Sequence, residues 1–191
     1  MRIVLKGNLI SFIPVNESHL ALMVRWRNDL NVSNMLFDRG RYTLTKQKKW
    51  FEKSKKDKSR KQFIIIENKN STPIGAINLM QIDRKNFHCD WGYYIGETSF
   101  RMGGFAVEAE YMILKYAFEK LKMNKVYCQT LSYNNKVINI HNKFGFKTDG
   151  VLRRHYKEKK SYTDVVLMSI LKGEFFEASK EIEKLLKFYR R

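Results

Sequence analysis

Two hydrophobic rhythms run along the chain. From Ile3 to Ile13, and again over Gln62–Glu67, Ile74–Ile82 and Phe87–Ile95, apolar residues are continuous or alternate. Each run stops at turn residues: Pro14, then Asn68-Lys-Asn-Ser-Thr-Pro73, then Asp83-Arg-Lys-Asn86. These runs predict strands, the last three as an antiparallel meander. Elsewhere the spacing is helical. Leu20, Met23, Val24 and Arg27 follow the capping residues Asn16-Glu-Ser-His19, a short helix fits around Asn31–Phe37, and Thr45 can cap a helix that carries Trp50 and Phe51.

The strongest period lies between Gly104 and Leu121. Phe105, Ala109, Met112, Ile113, Tyr116, Ala117 and Leu121 make one stripe, with Glu108 and Glu110 near the start, where they suit the helix dipole. A strand over 125–131, a short helix over 136–144 stopped by Gly145, and a strand from Phe146 to about Tyr156 follow. A hairpin tip at Lys157–Ser161, a returning strand over 162–171 and a last helix over 174–191 complete the chain. A meander of strands feeding a turn and a helix is an α+β pattern. No repeat or linker divides it, so a single domain over 1–191 is expected, with 173–191 as a C-terminal helical extension.

Composition narrows the classes. An apolar fraction of 43% with 14% aromatics belongs to a globular chain. No run approaches a membrane span and no signal-peptide core stands at the start, so a cytoplasmic protein without membrane association is expected. Cys89 and Cys128 sit in strand-like runs without metal or redox spacing and read as buried free thiols; no metal is expected. The 37 basic residues outnumber the 19 acidic ones, giving +18. That excess favours anionic ligands and disfavours polycationic substrates, and no nucleic-acid motif accompanies it. The densest run, Lys46 to Lys61, reads as a solvated helix end.

One stretch carries chemistry. The strand ending Trp91-Gly-Tyr-Tyr-Ile95 passes through Gly96-Glu-Thr-Ser-Phe100 into Arg101-Met-Gly-Gly-Phe-Ala106, and then the helix begins. Glycines admit an anion to the backbone, and free N–H groups at a helix start point at it. The spacing is neither that of a P-loop nor that of a dinucleotide fold. It resembles the acetyl-CoA signature of the GNAT N-acetyltransferase superfamily. A second motif, Asn134-Asn-Lys-Val-Ile-Asn-Ile-His-Asn-Lys-Phe-Gly-Phe146, resembles that superfamily's other signature, with Val137 at the usual alanine and His141 where tyrosine is most common. Arg25-Trp-Arg-Asn28, Lys49-Trp-Phe51 and Gly150-Val-Leu-Arg-Arg-His-Tyr156 with Tyr162-Thr-Asp-Val-Val-Leu-Met168 resemble two branches. One is the ribosomal-protein alanine/serine acetyltransferases; the other is the enzymes that acetylate the 4-amino group of nucleotide-linked sugars.

The resemblance implies a mostly antiparallel mixed sheet of about seven strands, flanked by helices and splayed at the cofactor. It implies acetyl-CoA as co-substrate, pyrophosphate held by Arg101, Met102, Gly103, Gly104, Phe105 and Ala106, and further cofactor contacts from Tyr94, Ile95 and Asn134. It also implies direct attack by an amine. For the base, Asp90 comes first, as an acid in a strand built for burial, or it simply faces solvent; Glu97 comes second. His141 stands at the acid position, or is a surface histidine. Arg27 and Asn28 are the acceptor-side candidates. Asp164 is either structural or part of the acceptor pocket.

Three functions compete at this level. The first is an N-acetyltransferase acting on a small anionic acceptor such as a nucleotide-linked amino sugar. The second is the same chemistry on a protein N-terminus, and the third a non-catalytic acyl-CoA-binding module. A homodimer is left open by the edge strands and the amphipathic last helix.

Overall fold

The computed structural model describes residues 2–158 and 161–189. Eight strands form one sheet: β1 Leu5–Lys6, β2 Ile10–Pro14, β3 Lys61–Glu67, β4 Thr72–Asp83, β5 His88–Ile95, β6 Lys125–Leu131, β7 Lys147–Glu158 and β8 Ser161–Leu171. Their order is β1-β2-β3-β4-β5-β6-β8-β7. Every pairing is antiparallel except β5 with β6, which is parallel. The helices are α1 Leu20–Asn28, α2 Leu30–Ser33, α3 Leu44–Lys56, α4 Phe105–Lys115, α5 Asn135–Lys143 and α6 Lys172–Phe188.

The sheet is covered on both faces, which explains why β3 reads as an unbroken apolar run. Phe63 and Ile65 point into a core shared with α4 and α6, while Ile64 and Ile66 point into a second core shared with α1 and α3. β5 splits the same way. Cys89, Trp91, Tyr93 and Ile95 face the first core, and Tyr94 packs against the second. Asp90 and Gly92, in phase with Tyr94, therefore belong to the α1/α3 face.

The count is eight strands rather than about seven because the expected strand over 3–13 breaks at Gly7. Gly7 N–H bonds Ile10 O at 2.8 Å and turns the chain back on itself. The next three N–H groups, of Asn8, Leu9 and Ile10, are all received by the Glu108 carboxylate at 2.7, 2.7 and 2.9 Å. Glu108 thus does more than complement a helix dipole; it ties the β1–β2 turn to α4. The cap of α3 moves from the expected Thr45 to Thr43, whose hydroxyl accepts from Lys46 N.

Of the predicted stripe, Ala109, Met112, Ile113 and Ala117 are buried and Phe105, Tyr116 and Leu121 half-buried, and after Lys115 the helix widens into a π-turn over Tyr116–Lys120. The shift in phase brings Phe118 into the core beside Ala117. Gly145, at φ +91°, stops α5 as its position requires. α6 packs along α4, with the Phe175 ring 5.2 Å from that of Phe118. Part of the expected hairpin tip, Lys159 and Lys160, lies outside the described residues. The β7 bulge is held where Asp164 Oδ1 accepts Arg154 N–H at 2.7 Å, a structural task for Asp164. Among the described residues no helix is long and apolar enough to cross a membrane.

Candidate active site

β5 and β6 share only three pairs, His88 with Lys125, Cys89 with Val126 and Asp90 with Tyr127. Past them the strands part. β6 continues with β8, and β5 continues with β4 alone, so the outer edge of Trp91–Ile95 is unpaired. The turn that follows places Gly103 and Gly104 at φ +82° and +87°, where L side chains are strained. No side chain caps the first turn of α4. An open strand edge fits an amide-bearing arm that bonds like a strand, and an uncapped helix start behind two glycines fits a phosphate.

Arg101 reaches back from this turn. Its Nε donates to Ile95 O at 3.3 Å and Nη2 to Gly96 O at 3.4 Å, with Asp29 at 3.6 Å. The guanidinium staples the turn to the strand end. Phe105 packs edge-on against Phe100 at 5.1 Å, Ala106 lies against the core, and Met102 is exposed. Asn134 stands at the start of α5 with its side chain capping nothing, which leaves its amide free for another partner.

Behind β5, on the α1/α3 face, is a cavity of about 420 Å³. Arg27, Arg41, Lys46 and Arg60 line it against one carboxylate, Asp38. Three sealed polar atoms of its lining have no hydrogen-bond partner: Arg27 Nε, Gln62 Nε2 and Tyr94 Oη. Among the described residues these are unpartnered donors sealed just behind the cavity wall, where a small side-chain shift would bring them to a ligand rich in acceptors. Burial raises the Tyr94 phenol well above its ordinary value, so it stays a donor. A second cavity, of about 460 Å³ between the β1–β2 turn, α4 and α6, contains none of the predicted site residues.

Asp90 pairs with Met80, which lines the first cavity, so its side chain shares that face. Burial pushes its pKa up to about 6, against the opposing effects of the Trp91 N–H and Arg60. A half-buried carboxylate at that value can take a proton near neutrality. Glu97 is differently placed. It bonds Arg25 and accepts Trp26 Nε1–H at 2.8 Å, which holds the end of β5 to α1. Arg27 lines the cavity and also bonds Tyr42 Oη and Asp38 O. Asn28 does not line it. Its side-chain amide exchanges two hydrogen bonds with the Tyr42 backbone, at 2.9 and 3.0 Å, and so fixes the loop that carries Tyr42.

His141 is only 3% exposed, so it is not a surface histidine. Its ring lies 5.2 Å from Trp91 and 4.9 Å from Phe146, and Nδ1 is 2.8 Å from Glu110 Oε1. Burial works against the imidazolium, but the charge and hydrogen bond of Glu110, together with Cys128, outweigh it and push the pKa up to about 10. Glu110, Arg60, Gln62 and Tyr42 escape a reading of the sequence as site residues. Only Glu110 leaves a trace, as an acid inside the apolar run Ala109–Leu114.

A family model described as an acetyltransferase (GNAT) domain matches residues 10–147. The chain belongs to this GNAT acetyltransferase family. Among relatives, the SPbeta prophage-derived uncharacterized N-acetyltransferase YokL of Bacillus subtilis is 33% identical over 147 residues, 76% of this chain and 78% of that protein. Acetyltransferase PseH of Campylobacter jejuni is 25% identical over 134 residues, 70% of this chain and 80% of that protein. The spermidine N-acetyltransferase of Vibrio cholerae, solved with CoA and spermine, superposes with a TM-score of 0.83 at 19% identity, over 89% of this chain and 99% of that one. This GNAT member is thus an acyltransferase with the family's mixed, splayed sheet. Among the described residues no three His, Cys, Asp or Glu side chains gather as metal ligands.

Proposed function

We propose that this enzyme transfers an acetyl group from acetyl-CoA to the primary amine of a small anionic acceptor, such as a nucleotide-linked amino sugar, in the cytoplasm. The observation that carries the reading is the first cavity, lined by four cations against one carboxylate, with three unpartnered donors sealed in its wall. A polycation entering it would meet like charges and bring no acceptor to those donors. A phosphate or carboxylate satisfies both.

Arg101 through Ala106 would hold the pyrophosphate, with the open backbone edge of Tyr94 and Ile95 and the Asn134 side chain nearby. When bound, acetyl-CoA supplies the acetyl thioester: the new C–N bond replaces the C–S bond, and the proton lost by the amine is matched by one gained by the departing thiolate. Asp90, on the acceptor face, takes the amine proton. Arg27, Gln62 and Tyr94 fix the acceptor. A backbone N–H on the open edge of Trp91–Ile95 is available to the developing oxyanion.

Free-thiol release from acetyl-CoA tests this with three acceptors: a nucleotide-linked 4-amino sugar, a peptide with an N-terminal alanine or serine, and spermidine. The sugar should be turned over with the highest kcat/KM. Turnover of spermidine or the peptide alone would overturn the acceptor assignment. Acetyl-CoA that neither raises the unfolding midpoint nor is consumed would overturn the cofactor assignment.

A further inference from the structure

Trp91 and Cys128 are the first residues of β5 and β6 beyond their last shared pair, so they flank the point where the sheet opens. His141 lies beside both, packed on the Trp91 ring with Cys128 contributing to its protonation. Its partner Glu110 is fully buried, and the second carboxylate oxygen of Glu110 has no hydrogen-bond partner among the described residues. A lone carboxylate in that position is costly, and a buried charge survives only when paired. With Nδ1 taken by Glu110, Nε2 is the nitrogen left to exchange a proton.

We propose that Glu110 is a positioning residue for the acetyl transfer: its carboxylate orients the His141 imidazole at the opening of the sheet and keeps on it the proton that the departing thiolate receives. This rests on the acetyl-transfer reading above. In the step, the Nε2–H bond breaks and an S–H bond forms, and the imidazole becomes neutral while Nδ1–H stays bonded to Glu110. The titratable groups around the ring are Glu110 from α4 and Cys128 from β6, with Tyr93 of β5 influenced by both. Burial raises the Glu110 pKa, but the imidazolium opposes that rise just as the carboxylate raises His141, so each charge of the pair holds the other in place.

The test has two arms. In an NMR titration of the imidazole, His141 of the wild type should remain protonated through pH 8, and that of Glu110→Gln should be neutral there. In turnover of acetyl-CoA with the nucleotide-linked amino sugar, Glu110→Gln should lower kcat about 10-fold or more with KM nearly unchanged. The double variant Glu110→Gln/His141→Tyr should recover most of that loss, because a phenol carries its own proton. A neutral His141 in the wild type at pH 7 would overturn the proposal. So would a Glu110→Gln variant with wild-type kcat and pH profile, or a folded double variant no better than the single one. A wild type without turnover would overturn the acetyl-transfer reading instead, and the titration would still decide the pair.

Discussion

Asp90 pairs with Tyr127 across the last rung that β5 and β6 share, and one residue further along the two strands have separated. Asp90 therefore sits at the hinge of the opening, on the face of the first cavity, while His141, packed on Trp91, lies on the opposite face. In the proposed reaction this places an acid and a base on opposite faces of a split strand, one proton leaving the incoming amine and another reaching the outgoing thiolate.

Asp90→Asn should slow turnover by about 10²–10⁴-fold, the usual contribution of a positioned base. Wild-type kcat/KM should fall as the pH drops through about 6, where Asp90 protonates, and this limb should vanish in the variant. Stability should move the other way. A carboxylate whose folded pKa is raised stabilises only while protonated, and that contribution is lost as pH rises from its unfolded value, near 4, through about 6. At pH 7 the Asn variant should melt higher than the wild type.

Gly104→Ala should destabilise the fold by about 1–2 kcal/mol through its left-handed backbone. The added Cβ would also come within 2.6 Å of the Tyr189 ring. Thermal unfolding should show a lower midpoint and a smaller upward shift with acetyl-CoA. An undiminished shift would separate this turn from the cofactor.

Glu108→Ala should cost about 2–4 kcal/mol, because three backbone N–H groups at Asn8, Leu9 and Ile10 lose a charged acceptor together. Urea denaturation would measure it. Hydrogen exchange at those three amides should rise in the same variant.

Tyr94→Phe and Gln62→Ala each remove one open donor from the cavity. Acceptor KM should rise about 5-fold or more in each, while KM for acetyl-CoA stays put. Equal values for variant and wild type would show that these donors do not meet the acceptor.

Periodicity made the strands and the α4 stripe legible and turn chemistry the glycine turn, because these are local properties of neighbouring residues, whereas the mixed, splayed sheet was what the family resemblance implied. The strand break at Gly7 and the π-turn after Lys115 were not legible, since each depends on what packs across it. The two sequence motifs were enough to place the chain in its family, but they could not say how its polar side chains are used. Glu97 and Asn28 read as chemistry, and the fold engages Glu97 with Arg25 and Trp26 and Asn28 with the Tyr42 backbone. Glu110 read as a dipole partner and is the buried companion of a histidine 31 residues away. The first cavity joins Arg27, Gln62 and Tyr94 from three separate elements. Burial and pairing of that kind are decided by contacts between distant segments, and only the folded chain brings those segments together.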